Sequence, residues 1–318
     1  MQFKETLVYW KQSPYQKIAF FTEANGSYSL TLNDFWQFNS NVEHIYHECL
    51  FTMPALFPPK LEKVLILGGG DGLGVRELLK YPTIKSIDLI DLDPEIIEFA
   101  KNHVIMSSLN KRSFHDKRVA ITVTDAKKWL NKEAKGKYDL VIIDFPDPTS
   151  DDLWDLYTAK LYKKVAKRMH KGSVVAIQSS TYNTRTFDLI FQRLDKVFPN
   201  IIGYHTGASS IFCGFFLASF TPIKQRRPLP ELKYLSPKLI NRMLGLPIID
   251  LGGTRKKGGW RPRLGDSNEG PSAAEKKFFG PDVVVPESTG TGSIFKNPLI
   301  IGGAVVAFAL PLILTRLG

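Results

Sequence analysis

The run Val64-Leu65-Ile66-Leu67-Gly68-Gly69-Gly70-Asp71-Gly72-Leu73-Gly74 constrains this chain more than any other stretch. Four apolar residues lead straight into a glycine cluster, and a helix is predicted over Val75–Tyr81. A buried parallel strand, a tight turn and a helix start form the unit that brings a backbone close to a nucleotide-like ligand. The glycines Gly68, Gly70 and Gly72 alternate, and Leu73 stands where the dinucleotide fingerprint Gly-x-Gly-x-x-Gly has its third glycine. That spacing disfavours a pyrophosphate and favours a phosphate-free adenosyl ligand such as S-adenosylmethionine. Asp71 adds a negative charge inside the loop, where an anionic ligand would be repelled.

From Leu61 onward strand and helix patterns alternate. Strands are predicted at Val64–Leu67, Ser86–Ile90, Ala120–Val123, Leu140–Ile143, Val174–Gln178 and Phe215–Ser219, and helices over Pro94–Asn102, Asp151–Met169 and Thr186–Val197. Such alternation predicts an α/β fold, a doubly wound parallel sheet of Rossmann type covered on both faces. Its ligand belongs beyond the carboxyl ends of the strands. Ahead of it, Ile18–Phe21 and Tyr28–Leu32 are β-rich runs separated by Asn25-Gly26, a hairpin signal. Val42–Leu56 then reads as a helix, with Ser40 or Asn41 available to cap it. Pro58-Pro59 marks a boundary, giving an N-terminal β region over 1–57 and the α/β domain over 58–250.

The net charge of +11 is unevenly spread. Residues 1–220 hold 27 basic and 24 acidic side chains, and residues 221–318 hold 15 and 7, so the excess belongs to the tail. Residues 251–293, rich in Gly, Pro, Ser, Lys and Arg, read as a disordered basic linker. Leu299–Leu314 is apolar and uncharged. At ~1.5 Å per residue it reaches ~24 Å, and Ile294, Phe295 and a snorkelling Lys296 bring it close to a bilayer core of ~30 Å. Residues 294–318 are therefore expected to be a C-terminal membrane anchor, with the folded part facing the cytoplasm because Lys and Arg before the segment outnumber the lone Arg316 behind it. The basic run Arg255-Lys256-Lys257 with Arg261 and Arg263 fits anionic lipid better than nucleic acid, even with Trp260 beside it. Cys49 and Cys213 are the only cysteines, too few for a disulfide framework, which suits a reducing compartment. Met1-Gln2-Phe3-Lys4-Glu5 has no apolar signal-peptide core.

Each of the first four sheet strands ends in acid: Asp71, then Asp91 and Asp93, then Asp125, then Asp144 and Asp147. Four acids in the same relative place imply a pocket of negative potential suited to a cationic ligand. Asp91, about 20 residues past the glycine loop, is where an acid holds ribose hydroxyls. Asp93 before Pro94 also reads as a helix cap. Asp125 could meet the exocyclic amine of adenine or cap the helix through Trp129. In Asp144-Phe145-Pro146-Asp147-Pro148 two prolines fix two carboxylates in relation to one another, an arrangement suited to holding an alkylammonium and accepting its proton. His44 and His47 lie three apart without further ligands, so no metal is expected.

Gly68-Gly69-Gly70-Asp71-Gly72, Asp91-Leu92-Asp93, Asp125-Ala126 and Tyr138-Asp139-Leu140-Val141-Ile142-Ile143-Asp144-x-x-Asp147-Pro148 together resemble the spermidine/spermine synthases, the polyamine aminopropyltransferases. Ser13-Pro14-Tyr15-Gln16-Lys17-Ile18 is similar to that family's Tyr-Gln strand, and Tyr46-His47-Glu48 to its Tyr-His-Glu helix. The Phe-Pro between the last two acids is closest to the branch associated with membrane-spanning segments. The resemblance implies a methyltransferase-like sheet and a decarboxylated S-adenosylmethionine co-substrate, without a prosthetic group. Gln16, Gly68, Gly70, Asp71, Gly72, Asp91 and Asp125 would bind that donor, Asp71 through its aminopropyl ammonium. Asp144 would take the proton of the attacking amine, with Asp147 and Tyr46 orienting it and His47 and Glu48 on the amine side. The acceptor would be putrescine or another polyamine, and dimers or larger assemblies would form through the N-terminal β region.

Three stretches depart from the family pattern, all on the acceptor side. Ala208 stands where a tyrosine is usual, Asn41-Val42-Glu43-His44 replaces an acid-rich turn, and Thr149–Trp154 replaces a Gly-Pro-Ala gate. Two alternatives follow: a methyltransferase on the same sheet, which Asp71 disfavours, and an inactive membrane-tethered binder of the same fold.

Overall fold

The computed structural model describes residues 5–132, 136–208 and 211–244. The expected linker and anchor, and with them the excess positive charge of 251–318, lie outside the described residues. No helix among the described residues is long and apolar enough to cross a membrane.

Four antiparallel strands, β1 (Thr6–Gln12), β2 (Lys17–Thr22), β3 (Tyr28–Leu32) and β4 (Phe35–Asn39), form the N-terminal sheet in that order. The β2–β3 turn carries Gly26 at φ +80°, as the Asn25-Gly26 signal predicts. The β3–β4 loop is just Asn33-Asp34, with φ of +50° and +64°. Both residues tolerate the left-handed region, so this too is a two-residue hairpin, though without a glycine to announce it.

The expected helix over Val42–Leu56 is three pieces: α1 (Glu43–His47), a π-helical turn at Glu48–Thr52 and a 3-10 turn at Pro54–Leu56. Pro54 has no N–H to continue an α-helix. Neither Ser40 nor Asn41 caps α1; Val42 takes the cap position without a side-chain bond.

The α/β part runs β5 (Lys63–Gly68), α2 (Leu73–Leu78), β6 (Ser86–Asp91), α3 (Pro94–Asn102), α4 (Val104–Leu109), β7 (Val119–Val123), α5 (Ala126–Lys132) and β8 (Tyr138–Asp144). It continues through α6 (Asp151–Trp154), α7 (Ala159–Lys167), β9 (Met169–Thr181), α8 (Arg185–Asp195), β10 (Asn200–His205), β11 (Cys213–Ser219) and α9 (Pro237–Leu244). The sheet order is β10-β11-β9-β8-β5-β6-β7. Strands β5 to β9 pair in parallel, while β11 joins β9 and β10 antiparallel. The sheet is mixed rather than wholly parallel because β10 and β11 are joined as a hairpin, with no crossover helix between them. The expected single helix over Asp151–Met169 breaks at a 3-10 turn, Asp155–Tyr157, and Met169 already belongs to β9. The sequence reading did not anticipate β1, β4, β10 or α4 as elements.

Period-2 alternation sorts the strand residues between two cores. Val64, Ile66, Leu140 and Ile142 face one, with α2, α3 and the π turn. Leu65, Leu67, Val141 and Ile143 face the other, with α7 and α8. All eight are fully buried, and each contributes roughly 1.5–3 kcal/mol relative to exposure. The π turn closes on α2 so tightly that a Cβ at Gly74 would lie 2.2 Å from the Phe51 ring.

Gly74→Ala should therefore lower unfolding free energy by about 1–3 kcal/mol in urea titration, and Phe51→Leu in the same background should restore part of it.

Candidate active site

The chain leaves β5 for β6 on one side and returns to β8 on the other, so the β5/β8 boundary is the sheet's switch point, where a crevice opens. There Gly68 pairs with Asp144. A Cβ on Gly68 would lie 2.1 Å from the Asp144 carbonyl oxygen, and its φ is +88°, so glycine is required twice over. Past it the loop runs between two carboxylates. A Cβ on Gly69 would stand 3.6 Å from Asp144 Oδ2, and one on Gly70 would stand 2.7 Å from Asp91 Oδ2.

Tyr46 donates its hydroxyl to Asp144 Oδ1 at 2.5 Å, from α1 across the crevice. Its ring packs edge-on against Phe215 of β11. Burial pushes the Asp144 carboxyl up to about 6; the Tyr46 hydrogen bond opposes this, and the charge of Asp71 adds to it. Burial likewise raises Asp91 to about 6.

Asp71 accepts the Leu73 N–H at 2.8 Å on Oδ1, while Oδ2 lies 3.7 Å from His47 Nε2. His47 is 3% exposed. Its Nδ1 lies 2.8 Å from Glu43 Oε2, and Arg76 reaches that same oxygen at 2.8 Å. Arg76, Glu43, His47 and Asp71 thus form a line of alternating charge from the core to the loop. Burial opposes a charge on His47, but the carboxylates of Asp71 and Glu43 on either side outweigh it and raise its pKa to about 10. Burial would also raise Glu43, yet His47 and Arg76 hold it down to about 2.

Asp147 is exposed, its two oxygens accepting from Gln178 Nε2 at 2.5 Å and Ser180 Oγ at 3.0 Å. Ser180 has φ +63°. The buried Tyr157 hydroxyl donates within 2.9 Å of Gln178 Oε1 and reaches the carbonyls of Phe145 and Pro146, which fixes the turn between Asp144 and Asp147.

The strand-end acids Asp71, Asp91 and Asp144 come together with Tyr46 of α1, and Asp147 lies on the Asp144 side, both facing Cys213. Asp125 sits at the end of β7 and accepts the Lys128 N–H, capping α5. Gln16 is tied elsewhere: its Nε2 donates to Asp93 Oδ2 at 2.8 Å, beside Ser13 Oγ at 2.7 Å. Asp93 caps α3 with its other oxygen and so pins the N-terminal sheet to the Asp91 turn. The substrate-side expectation for Glu48 is corrected. It is fully buried, and its oxygens accept the N–H groups of Lys233, Tyr234 and Leu235, 2.8–3.0 Å away. His47, also expected on the substrate side, spends both ring nitrogens on Asp71 and Glu43.

The departures from the family pattern have their own partners. Glu43 is the buried link just described. Ala208 makes an isolated bridge to Ile211, and Tyr234 donates to the neighbouring Thr206 carbonyl at 2.6 Å. The 149–154 segment carries Trp154, with the Arg193 guanidinium 4.5 Å above its ring. Sequence reasoning missed Gln178, Ser180, Asn110 and Ser113. Asn110 Nδ2 donates to the Asp71 carbonyl at 3.1 Å, and Ser113 Oγ to the Gly72 carbonyl at 2.8 Å. Only Gln178, a polar residue ending an apolar strand, left any signal in the sequence.

The His47 charge gives a signed prediction. A pKa raised from 6.5 to about 10 contributes stability that is complete below pH 6.5 and lost as pH rises toward 10. His47→Gln should flatten the alkaline decline of Tm over that window; an unchanged slope would place the His47 charge elsewhere.

A sequence model of the Spermine/spermidine synthase domain matches residues 43–215. The chain is 35% identical over 243 residues to a polyamine aminopropyltransferase of Leptospira interrogans, covering 74% of this chain and 47% of that protein. It is 38% identical over 254 residues to polyamine aminopropyltransferase 2 of Aquifex aeolicus, covering 78% and 50%. The chain thus spans about half the length of these relatives. Among solved structures it superposes on a spermidine synthase in complex with the transition-state analogue AdoDATO, with a TM-score of 0.63, 26% identity and coverage of 76% of this chain and 88% of that one. The glycine loop and its strand-end carboxylates thus stand in a chain that belongs to the spermine/spermidine synthase family.

Proposed function

We propose that this chain transfers an aminopropyl group from decarboxylated S-adenosylmethionine to an amine such as putrescine, releasing methylthioadenosine. The observation that carries this reading is the pair Asp144 and Asp71 flanking the glycine loop at the switch point, one bonded to Tyr46 and the other backed by His47. The loop receives the adenosyl group, Asp91 its ribose and Asp125 its adenine. Asp71 holds the ammonium of the aminopropyl arm and would repel the carboxylate of ordinary S-adenosylmethionine.

An alkylamine with a pKa of ~10.4 is mostly protonated near neutral pH and cannot attack. Asp144 removes that proton as the nitrogen lone pair reaches the carbon bonded to sulfur. The C–N bond forms, the C–S bond breaks with its electron pair going to sulfur, and a neutral thioether departs. A carboxylate with a pKa of about 6 is a stronger base than an ordinary aspartate and is still ionised at pH 7. Asp147, held by Gln178 and Ser180, fixes the amine's far end, and the Tyr46 hydroxyl holds the Asp144 carboxylate in line.

The apolar Leu299–Leu314 segment supports attachment to a membrane, with the catalytic part on the cytoplasmic side and kinship to the membrane-associated branch. The half-exposed Leu7, Trp10 and Phe35 of the N-terminal sheet support a homodimer through that sheet. Carbonate extraction tests the anchor, which release into the soluble fraction would exclude. Sedimentation in detergent tests the dimer, which a monomer mass would exclude.

Incubation of the full chain with decarboxylated or ordinary S-adenosylmethionine and a panel of amines tests the chemistry. Methylthioadenosine is the expected by-product; S-adenosylhomocysteine would make the protein a methyltransferase, and no product would make it a binder. Asp144→Asn should lower turnover by ~10²–10⁴-fold, the usual contribution of a general base, while donor binding persists. In the wild type, kcat/KM, which reports the ligand-free enzyme, should fall on the acid side with a midpoint near pH 6, because the base is lost as Asp144 takes a proton.

A further inference from the structure

On the outer side of the 107–115 segment lies a second cleft, of about 490 Å³, lined by Lys101, Asn102, Ser108, Lys111, Arg112 and His115 around Val104. Its side chains play no part in the proposed reaction. Lys101, Lys111 and Arg112 bring three positive charges to one concavity, and none of them, nor His115, pairs with an acid among the described residues. Of the nearby acids, Asp116 takes a two-point bond from Arg118, and Glu98 accepts the amide of Asn102 at the rim of the cleft, which leaves three cations against one carboxylate. Unbalanced cations sharing a cleft repel one another, which an anion would relieve.

The backbone adds a second, independent observation. Lys111 and Arg112 both stand at φ +55°, two consecutive side-chain-bearing residues in a region that disfavours a Cβ. The turn persists because its other face is bolted to the glycine loop. Asn110 and Ser113 donate to the carbonyls of Asp71 and Gly72, and Arg76 donates to the Leu109 carbonyl at 2.9 Å. One turn therefore presents cations outward and holds the Asp71 loop inward.

We propose that this cleft binds a small molecule bearing a di- or triphosphate, and that its occupancy firms the Asp71–Gly72 loop. Three cations in one concavity match the several charges of a polyphosphate better than a single carboxylate. The guanidinium, ammonium and hydroxyl groups are all donors suited to phosphate oxygens. The binding half stands apart from the proposed reaction, and only a consequence for donor affinity rests on that reading.

The test is isothermal titration of the full chain in detergent with inorganic pyrophosphate and with ATP, alongside hydrogen exchange of the Gly72 and Leu73 amides. Saturable one-site binding is expected, weakened roughly 100-fold by Lys111→Ala with Arg112→Ala, as the loss of two charged contacts implies. Lys160→Glu with Lys164→Glu, on the exposed face of α7, should leave it unchanged. Pyrophosphate should slow exchange at Gly72 and Leu73 in the wild type but not in the Lys111/Arg112 variant. Absence of saturable binding, or equal weakening by both pairs of substitutions, would overturn the site. Binding without slower exchange would overturn its link to the loop. Because neither readout uses turnover, failure here is distinguishable from failure of the aminopropyl reading.

Discussion

A buried imidazolium stands at the centre of this protein's electrostatics. His47 has no water to stabilise its charge, so it exists only because Glu43 lies on one side and Asp71 on the other. Glu43 in turn is tolerable in the core only because Arg76 shares its oxygen. Burying any one of these alone would be costly, and together they lock α1, α2 and the glycine loop in one geometry. The line ends at Asp71, its most exposed member, with a side chain 18% exposed against 10% for Arg76. A cationic ligand there extends an alternation already built beneath it.

The sheet supplies the other half of the arrangement. Strand pairing puts Gly68 opposite Asp144, so the loop and the carboxylate are held by backbone hydrogen bonds rather than by flexible side chains. Burial then raises the proton affinity of Asp144 by removing water from it, and the charges of Asp71 and Asp91 add to the effect. One close approach, possible only with glycine, thus sets the position of Asp144, and burial among like charges sets its basicity.

The strand-end acids were legible in the sequence because they follow from local pattern: an apolar strand, then the first polar residue past its end. The family motifs added an expected role for each acid, and the parallel core followed from the alternation of strands with helices. What stayed hidden depends on distant partners. Glu48 serves a backbone segment 185–187 residues away, and Gln16 serves Asp93 across 77 residues. No local pattern announces such a partner, and a polar residue in a motif reads as functional until its bonds are seen. The β3–β4 hairpin escaped notice for a different reason: Asn33-Asp34 takes the left-handed conformation without glycine. The antiparallel β10–β11 edge was missed because an apolar strand does not reveal which way its neighbour runs.

The π turn at Glu48–Thr52 acts as a phase shifter. An α-helix advances about 100° per residue, whereas the wider turn, closed by the Met53 N–H onto the Glu48 carbonyl, advances less. Tyr46 points into the crevice and His47 toward Asp71 before the shift, and Phe51, within the turn, meets Gly74. Along an uninterrupted α-helix these two orientations would be out of step, with either the tyrosine turned from Asp144 or the phenylalanine turned from α2. A shift in backbone hydrogen bonding over one turn lets one short segment serve the crevice at one end and the core at the other.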